Sequence, residues 1–314
     1  MRKIFHGPLA ALLTPRTSSG RVDLEAIERL VEIVLEQGAT GVVVAGGTGE
    51  YAALTVEDRR AMHERAVAAA AGKGPVVACP GAADFSTSVA LAQHALGCGC
   101  QAVLLPPPHF YSYSQDDLES FFREAASVIP GPILLYNLPA FTTPISTELA
   151  LRLIESLPNV IGVKDSSGNL QMLEALTRGP ELAACRILGH DQVLVEGLRR
   201  GFLDAIISGP AGVVPGLTAA LFESFESGDR ERFAALAALF EELVERFGEL
   251  PYPWVPLWIA EWRGLFPARF PLPLSTARLE QARALEVWFR QWCEQLGELG
   301  VGVEPVPAAR HRPR

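Results

Sequence analysis

Lysine is rare in this chain, and one lysine stands where it could do chemistry. Of 27 lysine and arginine residues, only three are lysines. Lys164 ends the apolar run 161–164 and is followed by Asp165-Ser-Ser-Gly. Burial favours the neutral amine, which can attack a ketone to form a Schiff base, whereas arginine cannot. The alternative is a lysine paired with an acid at the rim of the fold, and Asp165 is the obvious partner.

A tyrosine ends the preceding apolar run in the same way. Tyr136 is followed by Asn-Leu-Pro and lies 28 positions before Lys164. A phenol beside the lysine of a neighbouring strand can move protons to and from a substrate oxygen. The alternative is a structural role, as a buried tyrosine whose hydroxyl is hydrogen-bonded. The functional interpretation of Tyr136 depends on Lys164 lying beside it.

A glycine-rich loop follows the second apolar run. Its sequence, Gly46-Gly47-Thr48-Gly49-Glu50, lets the backbone approach a ligand closely, and its N–H groups suit a carboxylate or a phosphate. The loop also fits a loose dinucleotide fingerprint, but Cys79-Pro-Gly stands where the ribose-binding acid is required. A plain tight turn is the structural alternative.

Several other chemistries lack their residues. The six histidines are never closely spaced, so we expect no metal site. The sequence has no G-x-S-x-G nucleophile motif and no Walker-type phosphate loop. Paired carboxylates at strand ends are missing too, which disfavours glycoside hydrolysis.

The elements that carry these residues alternate regularly. Eight short and nearly all-apolar runs are typical of parallel strands buried on both faces, and an amphipathic stretch follows each of them. This alternation predicts an α/β fold, a (β/α)8 TIM barrel, in residues 1–227. A doubly wound open sheet with a second domain is the rival. The predicted strands are Pro8–Leu13, Gly41–Ala45, Pro75–Cys79, Ala102–Leu105, Ile133–Tyr136, Ile161–Lys164, Arg186–Gly189 and Ala205–Ser208.

Beyond the barrel the pattern becomes helical. Three additional C-terminal helices are predicted within residues 228–300, at 229–247, 255–262 and 276–296, and residues 301–314 are expected to form a flexible tail. All five tryptophans lie in this C-terminal segment, and the spacings 254/258/262 and 288/292 place each set on one helical face. They are expected to pack in the core, and an oligomer surface is the alternative.

Composition limits the remaining possibilities. The 314 residues are 49% hydrophobic and carry a formal net charge of −9, which disfavours nucleic acid as the main partner. No apolar run is long enough for a membrane helix. Five scattered cysteines without a C-x-x-C pair, and a first apolar run broken by His6-Gly-Pro, favour a cytoplasmic protein.

In combination, four motifs resemble the dihydrodipicolinate synthase / N-acetylneuraminate lyase family of pyruvate-dependent class I aldolases. They are the loop 46–50, Tyr136-Asn-Leu-Pro, Gly162-Val-Lys-Asp-Ser-Ser-Gly and Ile207-Ser-Gly. The resemblance covers residues 8–222, and the three C-terminal helices also resemble the family. It implies a cytoplasmic homotetramer or dimer that acts on a small 2-keto acid such as pyruvate without metal or cofactor.

The resemblance also implies roles for individual residues. Lys164 would form the Schiff base with the keto carbon, and Tyr136 would be the general acid and base. Thr48, with the N–H groups of Thr48 and Gly49 beside Gly47, would hold the keto acid's carboxylate. Ile207 would line the pocket beside the imine.

Three positions depart from the synthase pattern that the resemblance implies. Gly47 replaces a threonine whose hydroxyl joins a proton relay. Phe110 stands where a tyrosine crosses the dimer interface, although Tyr111 could replace it with a shift of one residue. Phe141 replaces an arginine that binds the aldehyde's carboxylate.

Phe141, with a neutral rim of Ser112, Ser208 and Thr142, favours an uncharged aldehyde. We therefore hypothesise a lyase that cleaves, or forms, a 2-keto-3-deoxy sugar acid or a similar 2-keto acid, giving pyruvate and an aldehyde. A dehydratase and dihydrodipicolinate synthase, both using the same lysine imine, are the alternatives. A non-catalytic paralogue that binds a keto acid is the alternative of another class.

Overall fold

The barrel predicted from the alternating pattern is confirmed. The structure, a computed structural model, describes residues 5–178 and 184–303. Within them, eight parallel strands pair in chain order, and the last pairs with the first to close the barrel. The strands are β1 Gly7–Ala11, β2 Gly41–Val44, β3 Val76–Ala78, β4 Ala102–Leu105, β5 Ile133–Asn137, β6 Val160–Asp165, β7 Cys185–Leu188 and β8 Ala205–Ser208.

The helices lie between the strands and then continue beyond them. Several begin at a side-chain cap: the Thr55 and Ser114 hydroxyls each accept from the third residue of the helix that follows, and an aspartate there bonds back to the cap. The helices are α1 Leu24–Glu36, α2 Val56–Ala70, α3 Phe85–Gly97, α4 Gln115–Val128, α5 Thr147–Ser156, α6 Gln171–Arg178, α7 Leu194–Arg200, α8 Gly209–Val213, α9 Pro215–Ser227, α10 Arg230–Phe247, α11 Trp254–Trp262 and α12 Thr276–Glu298.

One short helix was not predicted. Helix α8 has five residues, too few for a hydrophobic period to show in the sequence. The Ser208 hydroxyl accepts from the Ala211 N–H at 3.2 Å, and Pro210 in the first turn suits a helix start. This helix turns the chain across the end of the barrel before α9 begins.

The strands bury both of their faces, as their apolar sequence predicts. On β2, Val43 points into the barrel with Leu9, Leu104 and Ile187, whereas Val42 points out to the helices. The interior is therefore filled by side chains, and open space for a ligand is left at an end of the barrel.

Helices α10, α11 and α12, here called the C-terminal extension, share the outer core of the barrel. Helix α10 packs on α9, and α11 packs on α8. The buried Arg263 guanidinium donates to the carbonyl of Val213 and, at 3.0 Å, to Gln37 Oε1. Trp292 is fully buried and donates to the Leu239 carbonyl at 3.1 Å, so it packs in the core.

Most of the predicted tail, residues 304–314, lies outside the described residues. Over the described ranges, no helix is long and apolar enough to cross a membrane.

Candidate active site

Tyr136 and Lys164 lie side by side at the carboxyl ends of two neighbouring strands. They are partners in the register of β5 and β6, so their side chains leave the sheet on the same face. The Lys164 amine donates to the Tyr136 hydroxyl at 3.1 Å, and its nitrogen is 4.3 Å from the centroid of the tyrosine ring. Both residues are buried. The structure thus brings together the two residues on which the predicted chemistry depends.

Burial makes the Lys164 amine easier to deprotonate. It lowers the pKa of Lys164 from 10.5 to about 8, while the Cys79 thiol and the Asp191 carboxylate nearby act in the opposite direction. At pH 7 roughly one amine in ten is then neutral, against fewer than one in a thousand at the ordinary pKa. Burial also raises the pKa of Tyr136, so its phenol stays protonated at neutral pH and can donate.

Asp165, the alternative partner of the lysine, is engaged elsewhere. As the next residue on β6, it points to the opposite face of the sheet. Its carboxylate accepts from Asn137 Nδ2 at 2.8 Å and from the hydroxyl of Ser167 at 2.9 Å. Asn137 in turn accepts from the Ile145 N–H at 3.0 Å. Asn137 and Asp165, the residues that follow Tyr136 and Lys164, therefore hold the loops around the site in place.

The glycine-rich loop closes over the tyrosine. A Cβ on Gly47 would lie 3.3 Å from the Tyr136 hydroxyl oxygen, so the glycine keeps the backbone close to that group. The Thr14 hydroxyl donates to the Gly49 carbonyl at 2.7 Å and holds the loop against the end of β1. Thr48, at the centre of the loop, is buried.

A cavity of about 440 Å³ opens above these groups. Gly47, Thr48, Tyr136, Lys164 and Ile207 line it, as predicted for a common site. The other lining residues are Leu138, Ala140, Phe141, Ser166, Gly189, His190, Asp191, Gln192, Gly209, Val244, Phe247, Gly248, Leu250 and Tyr252. Its volume suits a small metabolite.

Two predicted residues lie outside this cavity. A Cβ on Gly49 would be 3.0 Å from the Leu12 carbonyl, so the side of this glycine that would carry a side chain faces the chain after β1. Tyr111 lies on the loop after β4 with 65% of its side chain exposed, beside Phe110, which is 83% exposed. Within the chain, therefore, Tyr111 is not brought to Lys164.

Asp191 is a site residue that the sequence analysis missed. Its carboxylate accepts from the Ser208 hydroxyl at 2.7 Å and from the Gly209 N–H at 3.4 Å. Burial raises its pKa to about 6, and the hydrogen bond from Ser208 partly offsets that effect. A signal was present, because Gly189-His190-Asp191 directly follows β7 and so lies at the same end of the barrel.

The C-terminal extension supplies the other missed wall. Val244 and Phe247 of α10, and Leu250 and Tyr252 of the following loop, line the cavity. The Tyr252 and Thr48 hydroxyls are hydrogen-bonded at 2.9 Å across 204 positions of the chain. The sequence analysis expected the tryptophans of the extension in the core or at an oligomer surface, and no local pattern indicated this contact.

A second cavity, of about 380 Å³, lies at the opposite end of the barrel. The amino ends of strands β1 and β2 contribute to it, and its charged residues include Glu223 and Glu226. The side chains of Lys164 and Tyr136 are at the other end. In (β/α)8 barrels the reactive groups lie at the carboxyl ends of the strands, where the larger cavity is.

A closed (β/α)8 barrel with a buried lysine and tyrosine in its mouth defines the class, a barrel enzyme equipped to react with carbonyl compounds. The model of the Dihydrodipicolinate synthetase family matches residues 4–291, and the chain belongs to this family. Its members are pyruvate-dependent aldolases of class I, and the chain is accordingly an enzyme of the lyase type.

Individual relatives agree with this assignment. A 4-hydroxy-tetrahydrodipicolinate synthase of Thiobacillus denitrificans is 33% identical over 286 residues, 88% of this chain and 95% of the relative. That of Acidiphilium cryptum is 30% identical over 284 residues, covering 90% and 97%. The dihydrodipicolinate synthase of Acinetobacter baumannii, solved in complex with pyruvate, is 26% identical with a TM-score of 0.83, covering 95% and 100%. These names fit the synthase alternative better than the cleavage hypothesis.

Proposed function

We propose that the protein forms a Schiff base between Lys164 and the keto carbon of pyruvate or of a larger 2-keto acid. The observation that carries this proposal is the buried Lys164 amine, 3.1 Å from the Tyr136 hydroxyl, in the mouth of the barrel. The neutral amine attacks the keto carbon, and the resulting carbinolamine loses water to give the protonated imine. Tyr136 donates the proton that leaves with this water.

The protonated imine then serves as the electron sink, so the proposal needs no metal or organic cofactor. During cleavage the hydroxyl at C4 loses its proton through Tyr136, the C3–C4 bond breaks, and its electron pair forms the enamine on Lys164. An aldehyde leaves, the enamine takes a proton at C3, and hydrolysis of the imine releases pyruvate. The same steps in reverse join pyruvate to an aldehyde.

The carboxylate of the keto acid has a place in the glycine-rich loop. Thr48 lines the cavity, and we assign the carboxylate to its hydroxyl and to the N–H groups of Thr48 and Gly49. Ile207 lines the cavity from β8 and covers the side of the imine. This arrangement orients the keto carbon towards Lys164.

For the second half of the substrate, we propose an uncharged aldehyde, as released from a 2-keto-3-deoxy sugar acid. No arginine lines the cavity within the described part of the chain, and Phe141 stands at its rim with 63% of its side chain exposed. The Asp191 carboxylate lines the same cavity and would repel a second carboxylate. Hydroxyl groups, by contrast, could donate to Asp191.

Synthesis of 4-hydroxy-tetrahydrodipicolinate is the second candidate, and the names of the relatives favour it. A dipicolinate carries two carboxylates, so the partner of pyruvate in this reaction brings a second negative charge into the cavity. A charged hydrogen bond contributes roughly 1.5–3 kcal/mol, and the cavity offers no guanidinium among its described residues to supply one.

The first experiment treats the protein with pyruvate and sodium borohydride, followed by intact mass and peptide mapping. A reduced pyruvyl adduct on Lys164 supports the imine, and its absence overturns the proposal. A substrate panel then separates the candidates. Pyruvate released from 2-keto-3-deoxy acids supports cleavage, a 2-oxo product without pyruvate indicates a dehydratase, and turnover only in the synthase assay supports the second candidate. An adduct without any turnover indicates the non-catalytic paralogue.

We further propose that the chain works as a homo-oligomer, a dimer or tetramer. The loops after β4 and β5 lie together through a bridge between His109 and Thr142, and they expose Phe110, Tyr111 and Phe141 beside the cavity. Exposed apolar patches of this kind mark interaction surfaces. Sedimentation of the purified protein tests this proposal, and a monomer at all concentrations would contradict it.

A further inference from the structure

Tyr252 reaches the cavity from a loop of the C-terminal extension. Although 44% of Tyr252 is exposed, the residue lines the cavity and its hydroxyl is buried, 2.9 Å from Thr48 Oγ1. The fit is close, because a Cβ on Gly209 would collide with this hydroxyl. The ring packs beside Phe247, with centroids 6.5 Å apart. The direction from which the hydroxyl approaches Thr48 is therefore fixed by packing.

The Tyr252 hydroxyl is able to donate its proton to the Thr48 hydroxyl. Burial of the hydroxyl, and then the charge of Asp191, raise the pKa of Tyr252, so the phenol is protonated at neutral pH. Either hydroxyl can donate in this bond, and we assign the donation to the protonated Tyr252 phenol and the acceptance to Thr48 Oγ1. The proton of the Thr48 hydroxyl is then free to point at an anion, and each bond in such a row strengthens the next.

Thr48 has no other hydroxyl beside it in its loop. The residues 46–50 are Gly-Gly-Thr-Gly-Glu, so the preceding position carries no side chain that could orient the threonine. The nearest group that can set its hydroxyl is thus on a different part of the chain. The hydrogen bond from Tyr252 of the C-terminal extension therefore orients the Thr48 hydroxyl in addition to packing the extension on the barrel.

We propose that Tyr252 is a positioning residue for the 2-keto acid, which turns the Thr48 hydroxyl towards the substrate's carboxylate. The inference rests on the proposed function, in which Thr48 receives that carboxylate. It adds that the C-terminal extension takes part in keto-acid binding and that the chain supplies this hydroxyl from its own sequence.

The test measures the pyruvate concentration that gives half-maximal borohydride trapping on Lys164. Tyr252→Phe keeps the ring and removes the hydroxyl, and it should raise this concentration about tenfold while leaving the maximal extent of trapping unchanged. Thr48→Val should raise it at least as much, and the double variant should equal Thr48→Val, because Tyr252 acts through Thr48. Tyr113→Phe, a half-buried tyrosine outside the cavity, is the control.

The outcomes separate this inference from the proposed function. If wild-type protein is not trapped at all, the imine proposal fails. If wild type is trapped and Tyr252→Phe behaves like it, the role of Tyr252 is wrong. Additive effects in the double variant would also overturn it, since they mean that Tyr252 does not act through Thr48. Should Tyr252→Phe fail to fold, Gly209→Ala, whose methyl group would displace the hydroxyl, should give the same rise, and wild-type behaviour would refute the inference.

Discussion

The two walls of the cavity are held in place by different forces. The wall with Lys164 and Tyr136 is set by the backbone hydrogen bonds of two paired strands, and its residues cannot move without breaking the sheet. The wall with Val244, Phe247 and Tyr252 is set by packing of the C-terminal extension, far along the chain. In the proposed function, reactivity and selectivity therefore have separate supports: the barrel fixes the amine and the phenol, while the extension shapes what can reach them.

Removing the lysine should abolish the chemistry of the barrel wall. In Lys164→Met, the methionine fills most of the same buried space, so we expect the fold to be kept and the pyruvyl adduct to be lost completely. Borohydride trapping with peptide mapping measures this. The matched control is Lys73→Met, which removes an exposed lysine paired with Glu36 at 3.8 Å and should trap normally. An adduct that survives in Lys164→Met would move the nucleophile to Lys73 or Lys3.

Removing the phenol should slow turnover on the same wall without preventing binding. Tyr136→Phe keeps the buried ring but loses the proton donor beside Lys164, so we expect kcat to fall about 100-fold or more. Half-maximal trapping by pyruvate should change much less. Steady-state kinetics beside the trapping curve gives the two numbers. Equal losses in kcat and in binding would show that Tyr136 has a structural role.

The same division explains what the sequence could predict. The residues at the strand ends could be predicted because each strand is one apolar run. The residue that ends or follows such a run lies at the mouth of a barrel. Lys164, Tyr136 and Thr48 were found in this way. Asp191 was accessible by the same rule, since it follows β7 after only two residues, but nothing in its neighbourhood drew attention to it.

The cavity wall that the C-terminal extension forms could not be predicted from the sequence, for a physical reason. Tyr252 stands between Pro251 and Pro253, in a segment that reads as a break between helices. Its meeting with Thr48 depends on how α10 and α11 pack on the barrel, and side-chain packing of this kind leaves no local period. The five-residue helix α8 escaped prediction for a related reason, because it is shorter than the pattern that reveals helices.

A variant of the extension should alter selectivity and leave imine formation intact. Val244→Ala removes apolar surface from α10 where it lines the cavity, so we expect the KM of the cleavage substrate to rise about threefold to tenfold. The maximal extent of pyruvate trapping should match wild type, because the Val244 side chain is apolar and supplies no polar group to the keto acid. Val287→Ala, an exposed change on α12, is the control. A lower extent of trapping in Val244→Ala would show that the two walls are not independent.

The smallest effect is expected from Asp191, whose carboxylate lies near Lys164 and follows the end of β7. The Asp191 carboxylate raises the pKa of Lys164, against the larger lowering by burial, so Asp191→Asn should lower that pKa below about 8. The neutral amine is the reactive form and becomes populated as pH rises through the pKa. The pH at which the rate of pyruvate trapping is half-maximal should therefore move to lower pH in Asp191→Asn, most visibly above pH 6, where the wild-type carboxylate is ionised.

The control is Asp116→Asn, which changes an exposed acid on α4 and should leave the pH profile in place. A shift to higher pH in Asp191→Asn would mean that Asp191 acts on the lysine by something other than its charge, and the electrostatic account of this wall would have to be replaced.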